Sequence, residues 1–124
     1  MPNHWLVKTE PMAYAWADLE RERTTRWTGV TNALAKKHLR AMQVGDLVLV
    51  YHTGNEKQVV GIAEVTGVGD EPQLTAQKRL PRPVTLAEIK ARKEFAGSPL
   101  VRMGRLSVMP VSAGQWNWVL GAAH

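Results

Sequence analysis

At 124 residues, 44% of them hydrophobic and 22% charged, the chain has the make-up of a soluble globular protein: one domain, 1–124, with room for a single core. No apolar run approaches the ~20 residues that span a bilayer, and the start Met1-Pro2-Asn3-His4-Trp5 lacks the features of a signal peptide, so no membrane and a cytosolic location are expected. The absence of cysteine excludes a disulfide framework, a thiolate nucleophile and a Cys-based zinc site, while sixteen Lys and Arg against eleven Asp and Glu leave a formal charge of +5.

Trp5-Leu6-Val7-Lys8 is apolar and β-prone, and Glu10-Pro11 stops it, because proline lacks a donor and disfavours helix in the residue before it. Ala15 to Arg23 reads as a helix with Trp16 and Leu19 on one side, ended by Thr24-Thr25. A second helix runs from Thr31 or Asn32 to Met42, with Ala35, Leu39 and Met42 as its buried stripe and Lys36, Lys37 and Arg40 on the opposite face. Val44-Gly45-Asp46 turns the chain into Leu47 to Tyr51, apolar throughout and so suited to a strand covered on both faces. Gly54-Asn55 marks a hairpin turn, and Gln58 to Val65 is the returning strand, with Gly61 where a side chain would obstruct a neighbour.

Thr66 to Arg79 shows no clear alternation and reads as an exposed loop, followed by an extended Leu80-Pro81-Arg82-Pro83. Thr85, with Glu88 three residues on, is a capping box for a helix to about Lys93. Leu106 to Val111 alternates as a strand that Pro110 places near an edge, and Ser112 caps a last helix with Trp116, Val119 and Leu120. The expected fold class is α+β, a mixed sheet curled toward a small barrel with flanking helices.

Enzyme signatures are sparse. His4, His38, His52 and His124 show no metal-ligand spacing, there is no glycine-rich phosphate loop or nucleophile elbow, and Asp18, Asp46 and Asp70 fall where helices, turns and loops explain them. No catalytic residue, metal or cofactor is therefore expected. Of the five tryptophans, Trp5, Trp16, Trp116 and Trp118 suit packing between elements. Trp27 differs: it lies in a connection beside Arg26, Thr28 and Gly29, where an accessible indole face would stack on a base.

Asn32 reads either as a helix N-cap or as an amide that pairs with the edge of an extruded base. Tyr51, His52 and Thr53 end a central strand at the rim of the sheet, and Lys8, Thr9 and Glu10 end the first strand at a matching position. Between Glu22 and Asp46 no acid intervenes, while Arg23, Arg26, Lys36, Lys37 and Arg40 all fall there, a local excess suited to phosphates.

The motifs Trp5-Leu6-Val7-Lys8-Thr9-Glu10-Pro11, Trp27-Thr28-Gly29-Val30-Thr31-Asn32, Tyr51-His52-Thr53, Val60-Gly61-Ile62-Ala63-Glu64-Val65 and Leu80-Pro81-Arg82-Pro83 occur in this order. Together they resemble the EVE domain of the PUA-like superfamily, and the likeness runs over nearly the whole chain. The resemblance implies a pseudo-barrel sheet with flanking helices and a pocket that receives a modified base of DNA or RNA. On that basis Trp27, Gly29, Val30, Asn32, Tyr51, His52, Thr53, Lys8 and Thr9 are the expected base-pocket residues, and Arg26, Lys36, Lys37 and Arg40 the expected phosphate contacts.

Two departures from the family pattern stand out. Thr31 occupies the place where the family usually shows an arginine, and Thr66 to Arg79 is shorter than the corresponding segment of relatives, which carries a further strand. The shortened segment leaves the barrel open there, is covered by a second copy in a homodimer, or is filled by Gln73 to Lys78 as a substitute strand. The function expected is a non-catalytic reader of a modified, for example methylated, base. The alternatives are an enzyme acting on a nucleotide or metabolite through His52, and a protein-interaction module with a vestigial pocket.

Overall fold

The computed structural model describes residues 3–124, which form six strands and five α-helices around one mixed sheet. The strands are β1 (His4–Thr9), β2 (Thr24–Arg26), β3 (Leu47–His52), β4 (Gln58–Gly67), β5 (Gln73–Thr85) and β6 (Val108–Val111). They lie in the order β2-β5-β4-β3-β1-β6, with β1 and β3 parallel and every other pair antiparallel. The helices are α1 (Trp16–Glu22), α2 (Ala33–Ala41), α3 (Leu86–Lys90), α4 (Pro99–Arg102) and α5 (Ala113–Ala122), and a single 3-10 turn covers Lys93–Phe95.

The centre of the sheet is covered on both faces, as the unbroken apolar run of β3 requires: Val48 through His52 are all buried, as are Trp5, Leu6 and Val7 of β1. Gly61 on β4 lies directly beneath the Trp16 ring, so the obstructed neighbour anticipated at this glycine is the indole that opens α1. Caps follow the sequence signals. Asn32 Oδ1 accepts from the Ala35 N–H (2.9 Å), Thr85 and Glu88 exchange their reciprocal bonds, and Ser112 does the same with Gln115.

The buried Asp46 ties the start of β1 to the turn before β3. Its carboxylate accepts from the backbone N–H groups of Asn3 (3.0 Å) and Gln43 (3.0 Å) and from the Trp5 indole N–H (2.9 Å), which satisfies a charge that burial would otherwise penalise.

The expected loop over Thr66 to Arg79 is overturned. From Gln73 onward the chain is strand, and β5 pairs along β4 from Gln73 to Thr85, so the substitute-strand reading of this segment is the one that holds. The pairing breaks between Gly61↔Arg79 and Val59↔Val84, leaving Leu80 to Pro83 in a bulge where Pro81 and Pro83 forfeit no ladder bond. Further register shifts along β4 bend the sheet into a curled half-barrel. β4 is therefore flanked on both sides, and the edges of the sheet are instead the three-residue β2 and the four-residue β6 with its Pro110.

Three boundaries also change. α3 stops at Lys90 rather than Lys93, the last strand starts at Val108 rather than Leu106, and Thr24-Thr25 begins β2 instead of merely closing α1.

Candidate functional site

Where β1 ends, the Glu10 carbonyl accepts the N–H groups of Ala13 and Tyr14 (both 2.9 Å), and the Thr9 hydroxyl donates to the Tyr14 carbonyl at 2.7 Å. This turn sets the Tyr14 ring edge-on to Trp27, with centroids 6.2 Å apart and planes at 86°. The connection carrying Trp27 is held by its N–H, which donates to the Pro72 carbonyl at 2.9 Å. Thr9, Tyr14, Thr25, Arg26, Trp27 and Thr28 enclose a small pocket of about 160 Å³. That is below the ~300–1,000 Å³ of sites for drug-sized ligands and is on the scale of one planar ring system.

Trp27 also borders a wider groove of about 610 Å³, reached past Gly29 and Val30 and walled by Lys36 and Arg40 of α2 and by the turn Val68 to Glu71. Gly29 has φ +80° and open space around it, a left-handed backbone that lets the connection bend between pocket and groove. The indole is less accessible than an exposed connection suggests. Trp27 is 7% exposed and belongs to the core, with Tyr14 packed at right angles to it, although it lines both cavities.

The groove carries three cations, Arg26, Lys36 and Arg40, against two acids, Asp70 and Glu71, and the cations are not wholly free. Arg26 donates to the Glu71 carbonyl (3.2 Å), and Arg40 lies 3.8 Å from Asp70 in an exposed pair that solvent screens. Lys36 and Lys37 are exposed and hold no carboxylate among the described residues, though Lys37 lies outside the walls of either cavity. The Tyr14 hydroxyl donates to Glu22 Oε1 at 2.7 Å; burial first, and then the Glu22 carboxylate, push its phenol up to about 12, so it stays neutral and protonated at physiological pH.

The structure brings together Thr9, Arg26 and Trp27 in the pocket, and Gly29, Val30, Lys36 and Arg40 along the groove. The other expected site residues line neither cavity. Tyr51 is core, 3% exposed, with its phenol pushed up by burial, and the Lys8 ammonium lies 5.6 Å above its ring. Lys8 donates to the Gly104 carbonyl at 3.0 Å, and burial holds its ammonium below the usual lysine range. Thr53 places both its N–H (3.0 Å) and its hydroxyl (3.4 Å) on the Thr9 carbonyl.

His52 is buried, and its Nε2 accepts the Trp16 N–H at 3.0 Å, so the proton sits on Nδ1 and is donated to Glu56 Oε1 at 2.8 Å. It opens onto a separate depression beside Arg79 and Pro81. Asn32 is the α2 N-cap and faces a further hollow with Leu34, Arg102 and Met103. Sequence reasoning missed Tyr14, Thr25, Thr28 and the Val68 to Glu71 turn. For Tyr14 a signal existed, an aromatic residue between the Pro11 turn and a helix start.

The curled mixed sheet with flanking helices has the PUA-like fold, and at the level of fold alone the chain is similar to an ASCH domain from Zymomonas mobilis (TM-score 0.57, 10% identity, 96% of this chain and 94% of the other). Within that class the chain belongs to the EVE domain family, whose model matches residues 3–73 and 70–122. The two matched stretches overlap at residues 70–73, in the connection between β4 and β5 and the first residue of β5.

A hypothetical protein from Leishmania major is similar over 99% of this chain and 95% of its own, with 31% identity and a TM-score of 0.93. Thymocyte nuclear protein 1 from human is 25% identical over 97% of this chain and 73% of its own length. The human protein's structure in complex with DNA containing 5-methylcytosine superimposes with a TM-score of 0.84 at 23% identity, covering 98% of each chain.

Proposed function

We propose that this chain is a non-catalytic reader of a modified base in nucleic acid, holding the extruded base in the Tyr14–Trp27 pocket while the cations along the adjoining groove engage the phosphates. The observation that carries this reading is the right-angled aromatic pair walling a cavity of about 160 Å³ that adjoins a groove bearing Arg26, Lys36 and Arg40. A methyl group on the base adds apolar contact in such a cage, a gain of about 1–3 kcal/mol on the precedent of hydrophobic pockets. The human relative, bound to 5-methylcytosine DNA, supports the same choice of ligand.

An enzymatic role for His52 finds no support, since both ring nitrogens are already engaged within the fold. Self-association through an open sheet edge has little to build on, because the two edge strands span three and four residues.

The test is a titration of labelled oligonucleotides carrying cytosine or 5-methylcytosine, followed by anisotropy, with Tyr14→Ala and Trp27→Phe beside the wild type. Stacking worth about 1–3 kcal/mol predicts a loss of roughly 5- to 150-fold for Tyr14→Ala and a smaller loss for Trp27→Phe, which preserves the core. Circular dichroism verifies that both variants are folded. A wild type that binds neither oligonucleotide, or a Tyr14→Ala protein that binds as tightly as wild type, refutes the proposal.

A further inference from the structure

Arg79, Arg82 and Arg92 each hold a carboxylate of this chain, Glu20, Glu88 and Glu94, so their charge is largely cancelled within the molecule. Arg102 and Arg105 differ. Both are exposed, and neither has a carboxylate within ion-pair distance among the described residues. Between them stands Met103, 46% exposed, and across a hollow of about 350 Å³ stands Leu34, 37% exposed, at the start of α2. Met103 and Leu34 therefore place exposed apolar surface on one hollow together with two cations that no carboxylate among the described residues compensates.

This hollow shares no lining residue with the pocket or the groove, but two segments link it to them. Lys8 fastens the Arg102–Ser107 segment to the end of β1, its N–H donating to the Ser107 carbonyl (2.8 Å) and its ammonium to the Gly104 carbonyl (3.0 Å). The next residue, Thr9, is already in the pocket wall. On the other side Asn32 lines the hollow and caps α2, the helix whose Lys36 and Arg40 wall the groove.

Resting on the base-reading role proposed above, we infer that the Arg102–Arg105 segment is a second lip of the binding surface, across which the strand continues on leaving the pocket. Arg102 and Arg105 take the phosphates that flank the extruded nucleotide, and Met103 and Leu34 pack against the neighbouring base, replacing the stacking it loses when its partner swings out. A polynucleotide alternates anionic phosphates with apolar base faces, and the lip alternates cations with apolar side chains to match. An acidic peptide would satisfy the arginines and leave the Met103–Leu34 pair uncovered.

The experiment is the salt dependence of binding to a DNA oligonucleotide containing 5-methylcytosine, for wild type, R102Q/R105Q and Met103→Ser. The substituted side chains are exposed, so melting temperatures should stay near wild type. For R102Q/R105Q the slope of log K against log salt should shrink by about 1–2 while the preference for the methylated over the unmethylated oligonucleotide is unchanged, because phosphate contacts carry no base information. Met103→Ser should weaken binding several-fold at every salt concentration with the slope intact. If R102Q/R105Q keeps both the affinity and the slope of a wild type that binds, the lip is wrong and base reading stands; a wild type that does not bind overturns both.

Discussion

Gly61→Ala isolates the contact by which the Trp16 ring seats α1 on β4. A Cβ at this position would sit 2.5 Å from Trp16 Cδ2 and Cε2 and 2.7 Å from Cε3, against the ~3.5–4.0 Å of relaxed carbon contacts, so the ring must withdraw by roughly 1 Å. It has little room to do so. Trp16 is 1% exposed, and its backbone N–H is pinned to His52 Nε2, so α1 would shift as a unit and strain that bond. Overpacking of this kind costs about 1–3 kcal/mol, and the strand interior returns ~0.5–1 kcal/mol because alanine loses less backbone entropy than glycine.

The net cost is then about 1 kcal/mol, or a fall in melting temperature of roughly 3–6 °C for a domain of this size. Thermal melts by circular dichroism measure the loss, and the same substitution in a Trp16→Leu background measures its cause. Once the indole is gone, the Gly61→Ala penalty should vanish, giving a coupling energy above ~1 kcal/mol. A Gly61→Ala protein that melts with wild type, or an equal penalty in both backgrounds, would refute the steric account.

Asp46→Ala strips the acceptor from three N–H donors, and because bonds to a charged group are worth about 1.5–3 kcal/mol each and the Trp5 indole bond is buried, denaturant unfolding should show a loss of at least ~3 kcal/mol. Asp46→Asn should be milder, since it keeps one acceptor oxygen. For acid stability the marker is Glu88, whose carboxyl is drawn down to about 2 chiefly by the Arg82 guanidinium and then by the Thr85 N–H. Its folded value lies below the ordinary 4.5, so the stabilisation is complete above that pH and is lost as the pH falls toward 2. The difference in melting temperature between wild type and Glu88→Gln should therefore shrink across that window; a constant difference would contradict the assignment.

The elements legible in the sequence are those whose signals are local. Asn32, Thr85 with Glu88, and Ser112 announce their helices because a cap is satisfied within four residues, and the apolar run Leu47 to Tyr51 announces a buried strand because both its faces need cover. β5 escaped because its partner is β4 across repeated register shifts, which scramble any alternation and admit two prolines. β2 escaped because three residues carry no period and its partners, Gln73 to Thr75, are far away in sequence.

The site divides in the same way. Trp27 and the α2 cations stood out by composition, whereas the end of β3 looked like a polar rim only because sequence does not show that α1 lies over it and engages His52. Tyr14 was obscured by its place in a turn, and its partnership with Trp27 depends on how Thr9 and Glu10 hold that turn.

The neighbours of β1 bear on how the chain must be made. On one side it pairs with β3, whose residues Leu47 to His52 follow at moderate separation, but on the other His4 pairs with Val111 and Val7 with Val108, far later in the sequence. A nascent chain emerging at ~5–20 residues per second therefore holds one edge of its first strand open for several seconds. Leu6 and Val7, fully buried in the finished molecule, lie on that waiting edge. The sheet can close only when Val108–Val111 arrives, which makes the interval between the synthesis of these two strands the period of greatest exposure to strand-to-strand aggregation.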